Sequence, residues 1–166
     1  PYTHVIRFED VEIEVIFLAL DREEDVRKLL SIEFTGIWVN EAREVPKAII
    51  DACTMRVGRF PSMKDGGPSW YGVIMDTNAP DAEYLTREEA LMLVMPDNWK
   101  FFKQPPGMTE IKNDSNEVEQ YIHNDKSENT GNLVPTYYDN LIRGKTKSWI
   151  DVYVMNRIGS ILEGKP

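Results

Sequence analysis

The ordering of apolar runs around one short segment constrains the fold most. Residues 35–39 (TGIWV) form a β-rich run that stops abruptly at the polar pair Asn40-Glu41. Pro46 then opens a helical pattern through Ala48, Ile49, Ala52, Cys53 and Met55, with Gly58 suited to its C-terminal cap. A loop rich in Gly, Pro and Ser (FPSMKDGGPSW) leads to a second apolar run, residues 70–75 (WYGVIM), which ends in the polar turn DTNAPD. Strand signals alternating with helix signals predict an α/β protein with a mainly parallel sheet and flanking helices.

Other segments extend this pattern. VEIEVIFLAL (11–20) alternates and then becomes continuously apolar, as a strand does on entering a covered sheet. Asp21 with Glu24 reads as a helix start before Val26, Leu29 and Leu30, and Thr86 with Glu89 as a capping box before EALMLVM. NWKFFKQP reads as a further strand, stopped by Pro105-Pro106-Gly107. Residues 112–132 are rich in Asn, Asp, Glu and Ser and read as a polar surface excursion. Two short helices are predicted over 135–143 and 149–158, ended by Gly144 and Gly159. The whole, 1–166, reads as a single domain long enough to bury a real core.

Composition narrows the function classes. A net charge of −9 argues against a surface that clamps phosphates broadly, although basic residues outnumber acids over 140–166. The apolar runs are too short to span a bilayer, so no membrane association is expected. No signal peptide is visible at the start, and Pro1 stands where an initiator Met would, which suggests a piece excised from something longer. The single cysteine, Cys53, sits in the apolar context AIIDACTM and reads as a core residue. His4 and His123 are isolated, which speaks against a zinc site. The four tryptophans lie in or beside apolar runs and are expected to pack in the core.

In open α/β sheets ligands gather at the carboxyl ends of strands, and two polar clusters occupy such ends. Glu41 is positioned to orient and polarise a water for attack on a phosphoryl group. On this short pattern alone, Asn40 and Glu41 capping a turn is the favoured reading. Asp76-Thr77-Asn78 are able to hold a phosphate or a water, or to form a turn that satisfies its own backbone. Arg56 and Arg59 have the chemistry of an arginine finger, and equally suit the last turn of a helix, where they complement its dipole. No Gly-x-x-x-x-Gly-Lys followed by Ser or Thr occurs anywhere in the chain.

Taken in order, three stretches resemble the large terminase subunit of tailed bacteriophages, the motor ATPase that pumps DNA into the procapsid. They are IEVIFLALDREEDVRKLLSIEFTGIWVNEAREVP, WYGVIMDTNAPD and NLVPTYYDNLIRGKTKSWIDVYVMNRIGSILEGKP. The resemblance implies the C-terminal portion of a terminase-like ATPase domain, a partial P-loop NTPase core of the additional-strand type. The Walker A part and the nuclease would lie outside this chain. By position, Glu41 would be the catalytic carboxylate of the Walker B motif. Asn40 stands where the family more often has an acidic residue; its amide can accept a hydrogen bond from metal-bound water but brings no charge. Thr77 and Asn78 would form the coupling motif, and Arg59 or Arg56 the arginine finger. The parent would use ATP and Mg2+, with Mg2+ held through water near Asn40 rather than by direct ligands. Its partners would be double-stranded DNA, the procapsid portal and the small terminase subunit, in the cytoplasm of a bacterial host. This chain alone would lack the phosphate-binding loop and be inactive. Its sheet edge beside the coupling strand would be covered by another element or by a second copy, giving a homo-oligomer. The alternative is a non-enzymatic, prophage-derived assembly or interaction module that keeps the fold.

Overall fold

The computed structural model describes residues 2–79 and 97–158. The chain groups into two compact units, 1–76 and 77–166. It is mixed α/β with small sheets, each of two strands among the described residues. The expected Thr86–Glu89 capping box and the Gly159 helix end lie outside the described residues.

In the first unit, β1 (Tyr2–Phe8) and β2 (Val11–Phe17) form an antiparallel hairpin. The pairs Tyr2/Phe17, His4/Val15, Ile6/Ile13 and Phe8/Val11 gather apolar side chains on one face, because side chains alternate along each strand. Arg7 and Glu12 make an ion pair at 2.7 Å on the other. β2 is therefore not the covered strand that its composition predicts, since Val11 and Ile13 are exposed. The ladder ends at Phe17, and Leu18 and Leu20 just beyond it pack on the core. One apolar run thus serves a hairpin face and a half-buried connector, two roles that hydrophobicity alone does not separate.

The helical turn Glu23–Asp25 leads into α1 (Val26–Leu30). Its start is organised by Asp25 rather than by Asp21 with Glu24. The Asp25 carboxylate accepts the N–H groups of Asp21 and Arg22 at 3.1 and 3.2 Å and pairs with Lys28 at 2.7 Å. The Lys28 ammonium holds the Asp25 carboxyl below its ordinary range.

β3 (Gly36–Val39), α2 (Lys47–Arg56) and β4 (Gly72–Met75) form the parallel part, with Gly36 opposite Gly72 and Val39 opposite Met75. Pro46 precedes the helix as its cap residue, and Gly58 at φ 73 turns the chain away after it. Ile37, Val39, Val73 and Met75 pack with Leu29 of α1 and Ile49, Ala52 and Cys53 of α2. Burial pushes the Cys53 thiol up to about 11, so it is a core residue with negligible thiolate at neutral pH. Trp38 and Ile74 point to the opposite side of the sheet and are exposed, as is Trp70, so these two tryptophans are not the core residues expected. Gly36 leaves room for the Trp70 ring, which a Cβ at that position would overlap.

In the second unit, β5 (Met108–Lys112) and β6 (Val118–His123) form another antiparallel hairpin. Its turn is held by the Asn113 side chain, which accepts the N–H groups of Ser115 and Glu117. The stretch 112–132 thus stays largely at the surface but contains a strand, made by Val118, Tyr121 and Ile122 within the polar sequence. Residues 98–105, expected as a strand, are irregular, with Phe101 and Phe102 exposed and with Pro105 and Pro106 unable to donate to a ladder. α3 (Tyr137–Ile142) and α4 (Lys147–Tyr153) lie within the predicted regions or overlap them, and the Thr146 hydroxyl caps α4 by accepting the Trp149 N–H. Met108, Ile150, Val154 and Met155 form the core of this unit.

Among the described residues parallel pairing occurs only between β3 and β4, so the mainly parallel sheet expected from the sequence is corrected there to one parallel pair and two hairpins. The two residues between β1 and β2, Glu9 and Asp10, can only join antiparallel neighbours. They carry no Asn-Gly type turn signal, although Glu9 adopts φ 54.

An ion cluster ties β5 to the chain after α4. Arg157 contacts both oxygens of Glu110, at 2.7 and 2.8 Å, and Asp151 at 3.0 Å, while Lys147 reaches Asp151 at 2.6 Å. Only 3% of the Glu110 side chain is exposed, and Arg157 holds its carboxyl below the ordinary value of 4.5. Its contribution is present above that value and is lost as pH falls through the lower folded value. Glu110→Gln is expected to cost about 1–2 kcal/mol at neutral pH, since Arg157 is partly solvated. Urea unfolding should show that cost constant between pH 6 and 8 and shrinking below about pH 4. An equal cost at pH 3 and pH 7 would contradict the ion-pair account.

Candidate functional site at the ends of the parallel strands

The chain leaves β3 through Asn40 and Glu41, and Glu41 adopts a left-handed backbone at φ 51, ψ 51. That conformation costs a residue with a Cβ about 1–2 kcal/mol, so the surroundings must hold it. Asp76, the first residue beyond β4, does so. Its N–H donates to the Val39 carbonyl at 3.1 Å and its carbonyl accepts the Ala42 N–H at 2.8 Å. Its carboxylate accepts the Glu41 N–H on Oδ1 at 3.0 Å and the Trp38 indole N–H on Oδ2 at 2.9 Å. The Glu41 carbonyl then accepts the Glu44 N–H at 2.8 Å, starting the turn Ala42–Glu44.

Leu20, Asp21, Asn40, Glu41, Glu44 and Val45 line an open depression of about 460 Å³. Its polar lining is all oxygen-bearing and three of the six residues carry carboxylates, so it disfavours anions and suits water or a hydrated hard cation. Among the described residues no group of three His, Cys, Asp or Glu is arranged to hold a metal ion directly.

The other expected site residues are placed differently. Arg56 donates through Nε to the Ile32 carbonyl at 2.8 Å, and Arg59 through Nε to the Met55 carbonyl at 3.0 Å. The Arg59 N–H also donates to the carbonyl of Phe34, just before β3. Arg56 lies in the last turn of α2 and Arg59 just beyond it, both near the start of β3, whereas Glu41 lies past the strand's end. The strand puts on the order of 10 Å between the two places. The chain therefore does not gather Arg56 or Arg59 with Glu41. Thr77 and Asn78 follow Asp76 directly and belong to the second unit. The Thr77 hydroxyl oxygen is buried and makes no hydrogen bond among the described residues.

Sequence reasoning treated Asp76 as one member of a polar turn and did not single it out. The available signal was an aspartate directly after the apolar run of β4, one strand away from another polar strand end. Its carboxylate reaches across to β3 instead of satisfying its own turn. Comparison with protein-family models, with curated proteins and with solved structures finds no match.

The left-handed backbone at Glu41 makes a direct prediction. Glu41→Gly and Glu41→Ala remove the same carboxylate, but only glycine adopts this conformation without strain. Glu41→Gly should be the more stable of the two by about 1 kcal/mol in urea unfolding. An alanine variant as stable as the glycine variant would show that the left-handed conformation is not kept in solution.

Proposed function

We propose that this chain carries the water-activating half of the ATPase site of a phage DNA-packaging motor, the large terminase subunit. One observation carries the reading most: Glu41 and Asp76 stand at the carboxyl ends of adjacent parallel strands and are bonded to each other. In an additional-strand P-loop NTPase core the Walker B strand and the coupling strand are expected to be such neighbours. Glu41 would orient a water and accept its proton as the water attacks the terminal phosphoryl group. Asn40 and Glu41 have oxygens suited to water bound on Mg2+, whose charge would offset that of the phosphates. Among the described residues no cradle for a triphosphate accompanies them, and no step is assigned to the metal. Thr77 and Asn78 would report the state of the phosphate to the rest of the motor, and Arg56 or Arg59 would act only toward a site on another copy.

The partners on this reading are double-stranded DNA, the portal and the small terminase subunit, in the bacterial cytoplasm. No helix among the described residues is long and apolar enough to cross a membrane. Neither β3 nor β4 has a second strand neighbour among the described residues, which leaves edges for a further element or a second copy. The alternative, an interaction module without enzymatic activity, draws support from the exposed apolar face of the β1–β2 hairpin, where Tyr2 and Phe8 are about 70% exposed.

In the complete subunit, Glu41→Gln should lower ATP turnover by about a hundredfold or more while nucleotide binding persists. The 166-residue chain alone should not turn over ATP. Unchanged turnover in the Gln variant would overturn the assignment of Glu41, and undetectable turnover in the complete wild-type protein would favour the interaction module.

A further inference from the structure

We propose that Asp76 is the positioning residue for Glu41, and that Trp38 acts through Asp76 by fixing the plane of its carboxylate. This rests on reading Glu41 as the group that orients water, and it adds two residues to that site.

The geometry is specific. Asp76 bonds to residues 38, 39, 41 and 42, on both sides of the point where β3 ends. Its two backbone bonds fix its Cα against the β3 end. Its two carboxylate oxygens then take one donor each, the Glu41 N–H and the Trp38 indole N–H. Rotation of the carboxylate breaks at least one of these bonds, so a single rotamer is selected. The Glu41 N–H is in turn fixed in direction, and with it the left-handed backbone from which the Glu41 side chain departs. Charge strengthens both bonds, since an ionised acceptor binds N–H groups more strongly than a neutral one.

Trp38 fits a role other than packing. It is 69% exposed, yet its indole N–H is directed at an oxygen 2.9 Å away. A residue needed only to fill the core would be buried, and one needed only as strand filler has no use for an indole donor. A displacement of about 1 Å in a reacting group can cost about a hundredfold in rate, so a device that fixes Glu41 to that tolerance has catalytic value without touching substrate.

The test uses three variants and two readouts. Asp76→Asn keeps the shape but replaces one carboxylate oxygen with an NH2 group, which cannot accept the donor it then faces. Asp76→Ala removes the acceptor, and Trp38→Phe removes one donor at an exposed site with little demand on folding. In 15N–1H spectra of this chain, Trp38→Phe assigns the indole resonance, and both Asp76 variants should shift it together with the Glu41 amide. Trp38→Phe should shift the Glu41 amide as well. In the complete subunit, all three should lower kcat for ATP by about tenfold or more with KM held within about twofold. If Asp76→Ala and Trp38→Phe leave the Glu41 amide and kcat unchanged, the positioning role is wrong. If the resonances move as expected but Glu41→Gln still turns over ATP, the positioning stands and the hydrolytic reading of Glu41 fails.

Discussion

The carboxylate of Asp76 is the constraint on which the β3 end depends. β3 and β4 are short, and the backbone ladder between them stops at Val39 and Met75. Past that point the chain has to turn through a left-handed residue that is not glycine. The Asp76 N–H and carbonyl continue the pairing by one step on each side, and its side chain takes the two donors that the ladder does not use. A neutral side chain of the same length offers fewer acceptors and no charge. The turn Ala42–Glu44, the entry into α2 and the shape of the acidic depression all follow from where Glu41 is held.

That arrangement also explains why the two sides of the β3–β4 sheet look so different. Ile37, Val39, Val73 and Met75 close against α1 and α2 around nearly inaccessible Ala52 and Cys53. On the opposite side stand Gly36, Gly72, Trp38 and Ile74, with the Trp70 ring over the glycines. Parallel sheets are ordinarily covered on both faces. Among the described residues this side of the pair is left exposed. Its Trp38 serves the strand end through its indole N–H rather than through burial.

Much of this was legible in the sequence, for physical reasons that differ between elements. TGIWV, the Pro46 helix and WYGVIM were readable because β-branched runs, a proline at a helix start and apolar spacing each report a local preference. Cys53 was readable as core from its neighbours. β1 was not, because THVIRF mixes charged and apolar residues on a hairpin whose two faces are both solvated. β6 was hidden in a polar stretch because only Val118, Tyr121 and Ile122 mark it. The strand expected at residues 98–105 has no strand to pair with among the described residues, a requirement that no local pattern reports. At the site, the polar strand ends were visible as two separate clusters. Their joining through Asp76, and the placement of Arg56 and Arg59 toward the start of β3, depend on parallel register, which is a property of two segments together.

The most direct measurement of the central claim is native-state hydrogen exchange at single-residue resolution across the β3 end. The amides of Glu41, Ala42 and Asp76 each donate to an identified oxygen, in Asp76 or in β3. They should exchange slowly, together with the β3–β4 ladder, although Glu41 lies beyond the strand. Exchange of the Glu41 and Ala42 amides at the rate of an open loop, while the β3–β4 ladder stays protected, would contradict the account.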